Sequence, residues 1–109
     1  MVSWNNLDTL SSYKELADVK PACLTEVMSG DNGAERVKNY SIPMAAGLSY
    51  NYASKQVDEN VLAALEKLAN EAQLADKFKA LYNGEVVNTG EKRLVLHHMT
   101  RGQLGDAVE

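Results

Sequence analysis

A mostly α-helical fold with a minor β element is what this sequence predicts. Three observations lead there. Apolar residues recur at helical spacing over two long stretches, 58–72 and 74–82. One short region, 39–53, alternates instead and is rich in β-formers. The chain has 109 residues, room for one small domain with a single core.

Ser3 is the expected N-cap of a first helix running to about Ala17, with Trp4, Leu7, Leu10 and Tyr13 to Leu16 as its apolar stripe. Pro21 suits the first turn of a second, short helix that presents Leu24, Val27 and Met28 on one face. Gly30 is placed to end it in a left-handed conformation. Asp31 is then expected to cap a further helical turn through Val37.

The segments YSIPMA and LSYNYA, separated by Ala46-Gly47, read as a small hairpin or two short extended segments. Pro43 lacks an N–H and confines the first to an edge or a bulge.

Asp58 is expected to cap the clearest helix, with Glu59 adding charge at its positive end. Val61, Leu62, Leu65, Leu68, Ala69 and Ala72 share one face, opposite Glu66, Lys67, Asn70 and Glu71. Leu74, Phe78, Leu81 and Tyr82 repeat the spacing in a further helix. Gly84 follows where a C′ glycine belongs. A polar loop, EVVNTGEK, then leads through Leu94, Val95 and Leu96 to His97 and His98. The last eight residues, GQLGDAVE, hold too few apolar residues for a packed element and read as an exposed tail.

Composition excludes several functions. Hydrophobic residues make up 45% and charged residues 24%, as in an ordinary globular domain. The net charge of −4 and the lack of a basic run argue against nucleic acid. No apolar stretch approaches the roughly 20 residues that span a bilayer. The first residues, MVSWNNLD, lack the basic and apolar regions of a signal peptide, so the expected location is the cytoplasm. Cys23 is the sole cysteine and has no internal partner; it is read as a small buried hydrophobe.

Candidates for chemistry are few. His97 and His98 are adjacent, so their side chains diverge on a strand or a helix and do not chelate one metal. A proton-shuttling histidine is weighed against a structural pair, one bonded to backbone and one at the surface, and the structural reading is preferred. The loop at Asn88 to Gly90 reads as a turn, since no phosphate-loop glycine pattern is present. Arg93 and Arg101 suit an anion, and equally suit neighbouring carbonyls or carboxylates. Trp4, Tyr50, Tyr52, Phe78 and Tyr82 read as core and interface packing rather than a stacking platform.

Beyond these derivations, the stretch from Tyr82 to Arg101 resembles the glucose-6-phosphate isomerases. That family carries a pattern close to F-x-G-E-x-I-N-x-T-E-x-R-x-V-L-H-x-A-L-R. Tyr82, Gly84, Glu85, Val87, Asn88, Glu91, Arg93, Val95, Leu96, His97 and Arg101 fall in register without a gap. Upstream, Tyr52, Val57, Glu59 and Leu62 match at the family's spacing. Departures are Gly90 in place of threonine, His98-Met99-Thr100 in place of small apolar residues, and GQLGDAVE in place of an Asn/Ser-rich stretch. They fit a bacterial branch of the family and leave the role of His98 open.

The resemblance implies that these residues are the N-terminal segment of a larger α/β sugar-isomerase fold, with 1–109 a single helical domain or fragment and the catalytic sugar-isomerase domains absent. The implied parent interconverts glucose 6-phosphate and fructose 6-phosphate through an enediol, without metal or organic cofactor. It serves glycolysis and gluconeogenesis as a cytoplasmic homodimer. No catalytic residue is assigned within this chain; Arg93, His97 and Arg101 are the candidates for approaching the sugar phosphate. The fragment alone is expected to be inactive and to expose apolar surface where the missing domains dock. The alternative is a free-standing helical protein-interaction module that keeps this fold. An open reading frame continuing past Glu109 into a Ser/Thr-rich loop favours the fragment, and a stop codon there favours the module.

Overall fold

Seven short elements follow one another in a computed structural model that describes residues 1–101. They are helices α1 (Ser11–Asp18), α2 (Leu24–Val27) and α3 (Gly30–Asn39), strands β1 (Ser41–Pro43) and β2 (Ser49–Asn51), and helices α4 (Glu59–Glu71) and α5 (Leu74–Tyr82). Single 3-10 turns occupy Leu7–Thr9, Ala45–Gly47 and His97–Arg101. The mostly helical reading holds, and so does the hairpin.

The first helix differs from expectation. Ser3 does not cap it; the Ser3 N–H donates to Gln73 Oε1 at 2.8 Å. The chain makes one 3-10 turn, becomes extended at Leu10 (φ −81°, ψ 143°), and only then enters α1. Leu10 has no acceptor on its side chain, so the N-cap position offers the helix no side-chain bond. The missing acceptor comes from α4. Glu71 accepts from the Ser11 N–H at 3.3 Å and the Ser12 N–H at 2.8 Å, and both serine hydroxyls donate to the same carboxylate. Two of the four N–H groups orphaned at any helix start are thereby satisfied.

Helix α3 also starts without a side-chain cap; Asp31 lies in its first turn and contributes charge only. Gly30 does take a left-handed φ of +61°. Gly33 faces the α2 end so closely that a Cβ there would collide with the Met28 carbonyl. Arg36, one turn on, is buried and ties α3 to the chain that follows. Its Nε donates to the Ala53 carbonyl at 2.8 Å, and Nη2 donates to those of Lys55 at 2.9 Å and Val57 at 2.6 Å. Its guanidinium also lies 4.3 Å over the Tyr40 ring.

The strands pair antiparallel, Ser41 with Asn51, Ile42 with Tyr50 and Pro43 with Ser49. Pro43 is tolerated because a two-stranded sheet has only edges. The connection turns through Ala46 and Gly47, both left-handed. Tyr40 and Tyr52 stack at 4.8 Å at the hairpin's base.

Helix α4 begins as expected, with Asp58 Oδ1 accepting from the Val61 N–H at 2.9 Å. It ends at Ala72, after which Gln73 turns left-handed (φ 55°) and α5 begins. Gly84 (φ +75°) closes α5 as foreseen. Its N–H donates to the Leu81 carbonyl at 3.2 Å and that of Glu85 to Ala80 at 2.9 Å, the paired bonds of a Schellman motif.

Among the described residues no self-contained core forms, in contrast to the single core the length allows. The buried apolar residues are Ala22, Ala53, Ala64, Ala72 and Ala80, and no large side chain among the described residues is fully enclosed. The radius of gyration is 18.0 Å, against about 13 Å for a compact domain of this size. With extents of 56 × 37 × 19 Å the molecule is a plate about two helices thick. Cys23, expected inside, is exposed at the start of α2. The tail GQLGDAVE lies outside the described residues.

Candidate functional site

The residues singled out for binding lie at the end of the described chain. Asn88 and Arg93 exchange backbone hydrogen bonds at 3.2 and 3.1 Å and close a tight turn. The Asn88 side chain holds that turn from inside, with Oδ1 accepting from the Glu91 N–H at 3.2 Å and Nδ2 donating to Glu91 Oε2 at 3.1 Å. Lys92 takes a left-handed φ of 56° to complete it. The loop is a turn, as its residues imply.

Arg93 projects from the turn with its side chain 74% exposed, and Nε lies 3.9 Å from Glu91 Oε2. A pair this open contributes little to stability. His97 is exposed; its carbonyl accepts from Thr100 Oγ1 at 2.9 Å. Arg101 closes the last 3-10 turn, and its side chain lies outside the described residues. Thus Arg93 and His97 are both open to solvent, and neither is brought onto a carboxylate–histidine or nucleophile–base pair.

His98 is the better-held histidine. Its ring stacks on Tyr82 at 5.2 Å, and Nε2 lies 3.1 Å from the Tyr82 carbonyl. That contact requires the proton on Nε2, since a carbonyl only accepts. Nδ1 is buried and has no partner among the described residues. The stack fastens the 3-10 turn to the end of α5. Sequence pattern alone gave no reason to distinguish His98 from His97, because the Tyr82 contact depends on how the intervening turn folds back.

Perturbed titrations occur elsewhere and have structural causes. The Ser12 hydroxyl, then the Ser12 N–H, hold the Glu71 carboxyl below its ordinary value. The Glu15 carboxylate, 2.8 Å from Lys67 Nζ, raises the Lys67 ammonium. Burial and a hydrogen bond to Glu59 raise the Tyr40 phenol. None of these groups adjoins Arg93 or His97 in the chain. Among the described residues no three histidine, cysteine, aspartate or glutamate side chains are grouped to hold a metal. No helix among them is long and apolar enough to cross a membrane.

Open apolar grooves lie on the surface of the described residues. One, of about 330 Å³, runs between Leu7, Leu65, Leu68, Ala69, Ala72 and Leu74. The other, of about 280 Å³, lies between the hairpin and α4 and is walled by Ile42, Tyr50, Tyr52, Val57, Leu62 and Leu65, with Lys55 at its edge. The larger recess beside Pro21 and Cys23, about 570 Å³, is of mixed polarity. These surfaces can hold apolar side chains. Lys20, Cys23, Glu26, Asp58 and Asn60 line the recess beside Pro21, whereas Arg93, His97 and His98 line none of the three.

Comparison with known proteins matches residues 51–109 to the family model described as phosphoglucose isomerase. The chain is 42% identical to a glucose-6-phosphate isomerase of Treponema denticola over 98% of its own length and 21% of the relative's. It is 46% identical to one of Treponema pallidum over 92% of its length and 19% of the relative's. Against one of Borreliella afzelii the identity is 43%, over 100% and 20%. The chain therefore spans about a fifth of the length of these relatives.

Proposed function

Because this chain belongs to the phosphoglucose isomerase family, we propose that it is the N-terminal segment of a glucose-6-phosphate isomerase and serves that enzyme as a structural part rather than as its chemical centre. In this reading the whole enzyme interconverts glucose 6-phosphate and fructose 6-phosphate by ring opening and proton transfer through an enediol. It does so in glycolysis and gluconeogenesis, in the cytoplasm, as a homodimer without metal or organic cofactor. The acid, the base and the phosphate-binding groups belong to the sugar-isomerase domains, which account for the rest of the relatives' length.

One observation supports the structural role above others. Leu74 and Phe78 are 60% and 63% exposed on the same face of α5, while every apolar residue that is buried among the described residues is an alanine. A surface of this kind is a contact surface. Arg93, His97 and Arg101 remain the candidates for reaching the substrate; Arg93 and His97 are exposed, and the ion pair of Arg93 with Glu91 is itself open to solvent.

The test is turnover. The purified 109-residue chain is expected to leave fructose 6-phosphate unchanged, and the full-length enzyme that carries it to convert it. Measurable isomerisation by the chain alone would sink the assignment of the chemistry to the remaining domains. A full-length protein that folds and does not isomerise would favour the protein-interaction module instead.

A further inference from the structure

Two Asn-Gly pairs occur in the chain, Asn32-Gly33 and Asn83-Gly84. Asparagine is a thermolabile residue, and a following glycine is its most reactive neighbour, because no Cβ shields the glycine nitrogen. That nitrogen attacks the asparagine Cγ, and the new N–C bond closes a succinimide ring. The Cγ–Nδ2 bond breaks, and Nδ2 leaves as ammonia with the proton of the attacking N–H. Water then opens the ring to aspartate or isoaspartate, according to which carbonyl carbon it attacks.

The fold treats the two pairs differently. Asn32 lies inside α3, and Gly33 is buried, packed so tightly that a Cβ would meet the Met28 carbonyl. Freeing the Gly33 nitrogen means unwinding α3 within a turn of Arg36, which is bonded to the carbonyls of Ala53, Lys55 and Val57. Asn83 is exposed at the C-cap of α5, and helix ends are where local opening costs least. Ring closure there needs Cβ and the Gly84 nitrogen on the same side of the Cα–C bond. At ψ 2° the Gly84 nitrogen instead eclipses the Asn83 nitrogen, and its N–H donates to the Leu81 carbonyl at 3.2 Å. The closed pair is therefore unreactive, and local opening sets its rate.

One side chain bears directly on that opening. His98 Nε2 donates to the Tyr82 carbonyl at 3.1 Å, the carbonyl of the peptide that leads into Asn83, and its ring stacks on Tyr82 at 5.2 Å. We propose that Asn83 is a deamidation site of this chain and that His98 guards it, by holding the Tyr82–Asn83 peptide where the ring cannot close. The role that the family pattern leaves open for His98 is thereby filled, and independently of the reaction proposed for the parent enzyme. The products loosen the same joint. A carboxylate at position 83 sits at the negative end of the α5 dipole. Isoaspartate also lengthens the backbone inside the Schellman motif formed by the Gly84 and Glu85 N–H groups.

Peptide mass mapping of the full-length protein, incubated at mildly alkaline pH, follows the amide-to-acid mass gain at each asparagine. In the native wild type, Asn83 is expected to convert about tenfold faster than Asn32, because its opening is local. In denaturant, where both pairs are free, the two rates should converge. His98→Phe keeps a ring against Tyr82 and loses the bond, and should speed native Asn83 about fivefold. His98→Ala loses bond and stack and should speed it more, with Asn32 unchanged in both variants. A native Asn83 no faster than Asn32 would overturn the site. A native Asn83 rate unaltered in both variants would overturn the guard. Equal acceleration at Asn32 in His98→Ala would mean general unfolding, and His98→Phe then decides.

Discussion

The carboxylate of Glu71 accepts the backbone N–H of Ser12, 59 residues away, so the last residue of α4 caps the first turn of α1. The cap that the sequence around Ser3 and Leu10 fails to provide is supplied by a different helix. This bond also joins α1 to the end of α4.

Acid should release that cap. The Ser12 hydroxyl and N–H hold the folded-state value of Glu71 below its ordinary one. A depressed value means the stabilisation is complete above the ordinary glutamate range, near pH 4.5, and disappears as pH falls through the folded value. In the full-length enzyme, amide exchange at Ser11–Glu15 is expected to be faster in Glu71→Gln than in wild type at pH 6. The ratio should shrink toward one as the pH is lowered past 4. A ratio independent of pH would mean that the charge of Glu71 contributes nothing.

Arg36→Lys is expected to loosen the segment from Ala53 to Val57. An ammonium on a flexible stem cannot reproduce a guanidinium that binds three carbonyls at once. Losing even one charge-assisted bond costs about 2 kcal/mol, ~30-fold faster exchange at the amides of this segment. Unchanged exchange there would show the three bonds to be dispensable.

Gly33→Ala tests the α2–α3 junction. Its methyl would fall on the Met28 carbonyl, a backbone atom that cannot rotate away. Overpacking of this kind costs about 1–3 kcal/mol. Gly47→Ala is the contrast, since nothing lies within 4 Å of an added Cβ and only its φ of +73° opposes it. Thermal melts of the two variants should place Gly33→Ala well below Gly47→Ala.

Asp58→Ala removes the one side-chain cap that the sequence announced correctly for α4. The expected loss is about 1 kcal/mol, read as faster exchange in the first turn of α4 alone.

Arg93→Ala separates substrate approach from scaffolding. Its exposed pairing with Glu91 predicts a stability change under about 0.5 kcal/mol. If Arg93 reaches the sugar phosphate, KM for fructose 6-phosphate should rise severalfold with little change in stability. An unchanged KM would remove it from the candidates. Arg101→Ala is read the same way: a stability loss with normal turnover per folded molecule assigns it to structure.

What could be read from the sequence was what is decided locally. The Asp58 cap lies three residues from its donor, the Gly84 motif closes within six, and the hairpin turns on adjacent Ala46 and Gly47. The start of α1 was not legible, because its cap acceptor sits in α4. Arg36 gave no sign either, since its three carbonyl partners are 17 to 21 residues away and carry no side-chain signature. The apolar face of α4 was identified correctly; that it stays half-buried, with Leu65 exposed, was not, because periodicity finds a face and is silent about what covers it. At the binding candidates the family pattern located Arg93, His97 and Arg101, while the stacking of His98 on Tyr82 needed the fold.

The plate's 19 Å thickness bears on how such an enzyme is made. In the proposed arrangement these residues leave the ribosome first, and a layer two helices deep has no interior in which to hide leucines. Roughly 400 further residues at 5–20 per second take about 20–80 s to appear. For that interval Leu74 and Phe78, 60% and 63% exposed here, face solvent.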